Sequence, residues 1–232
     1  MLDVRDYWNF SDPAATRTVF EELRTKLEDR QEYLDVVAQI ARTYSLSGEN
    51  QACLDMLKPV WDEALAAGGR AAASTMLEAA RAYRGMGLVD QARKGFEDVA
   101  QSGPEDLRVD ALHMLALISE GDQVEFYNQQ AITLAKTSKD VWARRWIGTL
   151  YNNMGWTKYE AGDLDDTLEY FESALLARYE FGQDERVDEA KWCIGRTLCE
   201  LGRIQEAREL QQEILESDAD LTDDEVLAAF KA

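Results

Sequence analysis

The chain reads as all-α: a right-handed α-solenoid of about five helix pairs with a capping helix at each end. The first observation behind this is a pattern that returns at a nearly constant interval. Ala41-Arg42-Thr43-Tyr44 recurs as Ala80-Arg81-Ala82-Tyr83, and Gly48 recurs as Gly87, each 39 residues on. Farther along, Gly155, Gly162, Thr167, Phe171 and Ala174 fall onto Gly195, Gly202, Ala207, Gln211 and Ile214 with a shift of 40. Fixed-period self-similarity marks units that bury their apolar faces only against neighbouring units. The second observation is composition. Hydrophobic residues make up 46% of the chain, ample for continuous burial, and only 3 Pro and 14 Gly punctuate it, so long helices fit. The third is that no run alternates apolar and polar residues over strand length, which argues against a β fold.

Taken in order, residues 1–30 form a leading segment and capping helix. Asp12 is placed to cap, and Pro13 suits the first helical position, where its missing N–H is not needed. The helix runs to about Asp29 and carries Val19, Phe20, Leu23 and Leu27 at helical spacing. Trp8 and Phe10 just before it are placed to staple the segment onto the first repeat. The array covers 31–217, with pairs at about 31–66, 70–101, 105–136, 140–181 and 184–217. Ser47-Gly48-Glu49, Met86-Gly87, Glu120-Gly121-Asp122, Ala161-Gly162-Asp163 and Leu201-Gly202-Arg203 mark the turns. A glycine just past a helix end takes the left-handed conformation that keeps such turns short. The fourth pair opens with a long helix from about Asp140 to Ala161. In the third pair the turn and second helix are out of step with the others. Residues 218–232 are expected to form a C-terminal capping helix, since Thr222-Asp223-Asp224-Glu225 is a capping box ahead of Val226, Leu227 and Phe230.

Charge and composition narrow the function classes. The 45 acidic residues outnumber 25 basic ones, a net charge of −20. A field of that sign repels phosphate backbones and anionic membrane surfaces, so neither nucleic acid nor membrane is an expected partner. No stretch approaches the roughly 20 apolar residues of a membrane span. The opening residues lack the basic and apolar regions of a secretory signal. Cys53, Cys193 and Cys199 form no Cys-x-x-Cys pair and read as reduced thiols of a cytoplasmic protein. His113 is the only histidine and sits among Met114, Leu115 and Leu117, a helix-packing position. No metal-ligand spacing, Ser–His–acid set or phosphate-binding glycine loop is present, so neither a cofactor nor enzymatic activity is expected.

The unit Tyr151-Asn152-Asn153-Met154-Gly155 … Gly162 … Thr167 … Phe171 … Ala174 resembles a tetratricopeptide repeat helix pair. The resemblance extends over nearly all of 31–217. Ala41, Ala80, Gly155 and Gly195 stand at the small-residue position of first helices, and Cys53, Ala92, Thr167 and Ala207 at that of second helices. Leu57, Phe96 and Phe171 plug the gap to the next pair. The chain departs from the family in its longer period and in lacking the closing proline. Repeats of about 40 residues occur in this superfamily, as in light chains of the kinesin motor. The opening residues and the block Trp146–Trp156 are similar to uncharacterised bacterial members. The resemblance implies a cytoplasmic scaffold that holds a peptide or protein segment along a concave face lined by first helices. It also implies an asparagine that bonds peptide backbone, at the position of Asn153.

Candidate binding residues follow from helical spacing. Arg145, Thr149, Asn152, Trp156 and Tyr159 fall along one stripe, opposite the packing residues Ile147, Leu150, Tyr151 and Met154. Asn152 and Asn153 can donate to and accept from a peptide bond, while Trp156 and Tyr159 offer flat apolar area with a polar tip. Arg42, Arg81 and Arg196 share one register position across repeats, a local reversal of sign suited to an acidic partner. In the competing reading, Trp156 and Tyr159 pack on a neighbouring helix, Arg81 pairs with Glu78 and Arg196 pairs with Glu200. The leading functional reading is an adaptor using all eight of these residues: Arg42, Arg81, Arg145, Asn152, Asn153, Trp156, Tyr159 and Arg196. The alternative is a ligand-responsive regulator that closes on a small peptide or an anionic metabolite, and self-assembly through the end helices stays open.

Overall fold

The computed structural model describes residues 3–217, and among them it is built of helices joined by short turns, with no strand. The capping helix expected within 218–232 lies outside the described residues. The chain divides into two compact units, Met1–Glu120 and Gly121–Ala232.

In the first unit, a 3-10 turn at Val4–Tyr7 precedes α1, Pro13–Arg24. Asp12 caps α1 by accepting from the Ala15 N–H at 2.9 Å. The helix stops short of Asp29, which instead caps the next helix by accepting from the Glu32 N–H at 2.9 Å. The first pair comprises α2, Arg30–Leu46, and a second helix split into α3, Asn50–Leu57, and α4, Trp61–Ala67. A 3-10 turn at Lys58–Val60 makes the split, where the ring and missing N–H of Pro59 interrupt the α-helical ladder. The second pair is α5, Gly69–Gly85, with α6, Val89–Ser102, and α7, Glu105–Leu117, completes the unit.

The second unit opens with α8, Asp122–Thr137, so the division falls at the turn of the irregular third pair. The long helix expected from Asp140 is interrupted, giving α9, Val141–Arg144, and α10, Ile147–Glu160. At the break the Trp146 N–H bonds three residues back to Ala143 at 3.3 Å, and the Arg145 carbonyl accepts from Gln183 Nε2 at 3.3 Å. Then come α11, Leu164–Glu180, α12, Val187–Glu200, and α13, Ile204–Ser217. The turns at Gly48, Gly87, Gly162 and Gly202 behave as the sequence predicts, whereas Gly121 lies beyond the end of α7 and instead precedes α8 as its N-cap. At Gly162, φ is 79° and the Asp163 N–H reaches back to the Lys158 carbonyl at 3.0 Å, closing α10.

Small residues set the spacing within each pair. Ala41 and Cys53 are fully buried where α2 meets α3, as are Ala80 and Ala92 where α5 meets α6. Phe96 and Phe171 are sealed completely. In α10, a Cβ at Gly155 would fall inside the van der Waals radius of the Phe171 ring. An alanine gains up to about 1 kcal/mol of helix propensity over glycine. Overpacking a sealed ring costs about 1–3 kcal/mol. Gly155→Ala is therefore expected to lower stability by a net ~1 kcal/mol; a urea midpoint equal to or above that of the wild type contradicts the packing argument.

Candidate functional site

The first helices of the first unit carry polar residues at i, i+4 and i+7: Asp35, Gln39 and Arg42 on α2, Ser74, Glu78 and Arg81 on α5, Asp106, Asp110 and His113 on α7. That spacing puts each triad on one helical stripe, and neighbouring stripes interlock. Ser74 donates to Asp35 at 2.7 Å, and Arg81 donates to Asp110 at 2.5 Å and also pairs with Glu78. Arg42 lies 3.9 Å from Glu78 and 3.8 Å from Asp110. Two guanidiniums thus balance two carboxylates. Burial alone raises the Asp110 carboxyl, but Arg81 and Arg42 outweigh it and hold the group below its ordinary value. At Glu78 burial wins and the carboxyl is pushed up. Arg42 and Arg81, expected to face an acidic partner, are committed to the protein's own acids.

The second unit places its candidates differently. Trp156 on α10 meets Phe171 and Tyr159 edge-on, at 5.3 and 5.4 Å between ring centroids, and lies 6.1 Å from Trp192 on α12. The Arg196 guanidinium sits 5.3 to 5.8 Å from the rings of Trp156, Tyr159 and Trp192, and its Nε donates to the Tyr159 hydroxyl at 3.2 Å. Among the described residues no carboxylate comes within ion-pair distance of Arg196. Glu200, its expected helical partner, instead accepts from Tyr159 at 3.4 Å. Trp156, Tyr159, Trp192 and Arg196 are all partly exposed.

The remaining candidates make other contacts. Asn152 Oδ1 accepts from the buried Cys193 thiol at 3.7 Å, a thiol that burial pushes up to about 12. The Asn153 carbonyl accepts from Thr157 at 3.0 Å. Arg145 lies over the Trp142 ring at 5.2 Å, on the far side of the helix break. The sequence reading missed Trp192, although it stands one turn before Arg196 on the same stripe. It also missed Arg178, 1% exposed, which passes beneath Gly148. Its guanidinium donates to Gln183 Oε1 at 3.5 Å and leaves Nε without a partner, and burial lowers its proton affinity. A lone arginine in an otherwise apolar stretch of α11 was its signal.

Among the described residues no helix is long and apolar enough to cross a membrane, and no three His, Cys, Asp or Glu side chains group as metal ligands. The tetratricopeptide repeat family model matches residues 193–217, the end of α12 and all of α13. Of solved structures, the chain is similar to the nearly identical TPR-like repeats of a kinesin light chain-like protein from Podosopora anserina. That likeness has 17% identity, spans 84% of this chain and 100% of the other, and has a TM-score of 0.55. A single-residue variant of those repeats aligns at 18% identity over 81% and 95% of the two chains, with a TM-score of 0.53. No curated protein matches significantly. At such identities the likeness shows the fold.

Two outcomes test the charge network of the first unit. Removing one member of a buried ion pair strands the others, so Asp110→Ala is expected to cost about 3 kcal/mol; a loss under about 1 kcal/mol in urea unfolding, the range of a surface pair, contradicts it. His113 is driven below its ordinary value of 6.5, first by burial, against the pull of Asp110. A base with a depressed folded pKa contributes fully above 6.5, and its contribution fades as pH falls from 6.5 through the lower folded value. Thermal midpoints measured from about pH 7.5 to about pH 5 are expected to fall less in His113→Leu than in the wild type. Parallel curves exclude the histidine as a source.

Proposed function

The chain carries a tetratricopeptide repeat and has the fold of tetratricopeptide-repeat arrays, and from that premise we propose that it is a cytoplasmic adaptor whose second unit binds an acidic peptide or protein segment. Proteins of this fold are in general interaction scaffolds without catalytic activity. The observation that carries the reading is the unneutralised Arg196 guanidinium among the rings of Trp156, Tyr159 and Trp192. A carboxylate can reach such a cation through its N–H groups, which project from the guanidinium edge, while the rings exclude water on the flanks. Tyr, Trp and Arg are also the residues most enriched at energetic centres of interfaces. Asn152 and Asn153, on the adjoining turns of α10, supply amide groups for the backbone of a bound segment.

Arg42 and Arg81 contribute indirectly, by holding α2, α5 and α7 together, because their charges are spent on Glu78 and Asp110. On this reading the acid-binding surface lies in the second unit.

A displayed random-peptide library selected on the wild-type protein tests the proposal. Enriched sequences are expected to carry Asp or Glu beside an aromatic or aliphatic residue, and Arg196→Gln is expected to weaken the selected peptides about ten-fold, the worth of one charge-assisted contact. Asn153→Ala is expected to weaken them less and to leave the fold intact. Selected peptides without acidic residues, or unchanged affinity in Arg196→Gln, overturn the assignment.

A further inference from the structure

Residues 3–10 belong to no helix pair, yet they lie across the first helices of the first unit. Arg5 Nη1 donates to Asp106 at 3.0 Å, at the start of α7 and 101 positions along the chain. Asp106 is buried and also holds Arg70 of α5 at 2.7 Å. Val4 is buried with Val36 and Ile40 of α2 and Phe20 of α1. Trp8 Nε1 donates to Gln39 Oε1 at 2.9 Å, and Gln39 Nε2 approaches Asp35 at 3.5 Å. Trp8 stacks flat on Phe10 at 4.7 Å, and the Arg42 guanidinium lies 5.4 Å from each ring.

The two sides are complementary group by group. The face presents an anion at Asp106, an acceptor at Gln39 and a cation at Arg42; the segment presents a cation, an N–H donor and a pair of stacked rings in the same order. Its pattern is Arg-x-x-Trp-x-Phe, from Arg5, Trp8 and Phe10. Yet the segment is held by these contacts without being enclosed, since Tyr7 and Phe10 remain 41% and 58% exposed. A segment with few buried contacts opens at less cost than the helices beneath it. We infer that residues 3–10 are a resident intramolecular ligand that closes the first-helix face of the first unit, and that this face takes a segment of another protein with the same Arg-x-x-Trp-x-Phe chemistry once they are released. The tether favours the resident: a short connection supplies an effective concentration of about millimolar, which a competitor must match. The inference concerns a surface and a ligand charge different from those of the acidic-segment reading, so either can fail alone.

The probe is a fluorescent peptide with the sequence of residues 3–11, titrated into full-length wild type and into full-length Arg5→Ala/Trp8→Ala. The double variant is expected to bind it at least about ten-fold more tightly than wild type, because one charge-assisted bond and one ring pair no longer hold the resident in place. A peptide with alanine at the positions of Arg5 and Trp8 is expected to bind neither protein. Equal affinity of both proteins for the probe, no binding to the variant, or equal binding of the alanine peptide overturns the inference. Circular dichroism checks that the variant folds. Should it not, Trp8→Phe keeps the aromatic contact and drops only the indole donor, and an increase of about five-fold in probe affinity is then expected; no increase in that variant overturns the inference as well.

Discussion

Everything in this fold depends on how closely the two helices of a pair approach. A repeat array has no central core, so each pair must bury its own seam before it can offer a surface to the next. Bulky side chains at the crossing would hold the helices apart and leave voids, whose linings forfeit dispersion contacts. The chain meets the constraint with Ala41 and Cys53 in one buried cluster, Ala80 against Gly95, and Gly155 beneath Phe171. In α6 the approach is tight enough that a Cβ on Gly95 would come 2.8 Å from that of Ala80. Because the small residues recur at fixed register, the residues one position beyond them also recur, and these are the ones whose chemistry differs between units.

That shared register position shows how context decides the role of one residue type. Arg81 is enclosed by Glu78 of its own helix and Asp110 of the next, and Arg42 completes the cluster from the other side. On α12 the equivalent Arg196 meets tyrosine and tryptophan instead of acids. The difference lies three residues earlier, where α5 carries Glu78 and α12 carries Cys193. A buried carboxylate demands a cation, whereas a buried thiol demands nothing, and so the arginine of α12 keeps its charge available.

The repeat period, the turn glycines and the small-residue positions were legible in the sequence because each is enforced by local geometry that every pair must satisfy. The pair boundaries agree with the helices to within a few residues. What the sequence did not disclose were the places where a tertiary partner takes a backbone group. The break between α9 and α10 depends on Gln183 reaching the Arg145 carbonyl from 38 residues away. For the candidate site, helical spacing assembled Trp156 and Tyr159 correctly on one stripe, but Trp192 needed knowledge of which helix lies beside α10. The pairing of Arg81 with Glu78 was legible from its own helix, but its second acid, Asp110, was not, since that residue is on α7.

The net charge of −20 bears on how an acidic segment could be recognised. The overall field repels such a ligand at distance, so binding gains nothing from long-range steering and association is slow compared with oppositely charged pairs. At physiological salt, however, exposed charges are screened beyond about 8 Å, and only the groups at the contact matter. There the rings around Arg196 lower the local polarity and strengthen its pull on a carboxylate, while their edges add apolar contact that salt does not weaken. On the proposed reading the chain discriminates by fit: acids lacking the neighbouring apolar group would meet the general repulsion without its compensation. Selectivity among the proposed acidic partners would then come from the aromatic rings as much as from the arginine they surround.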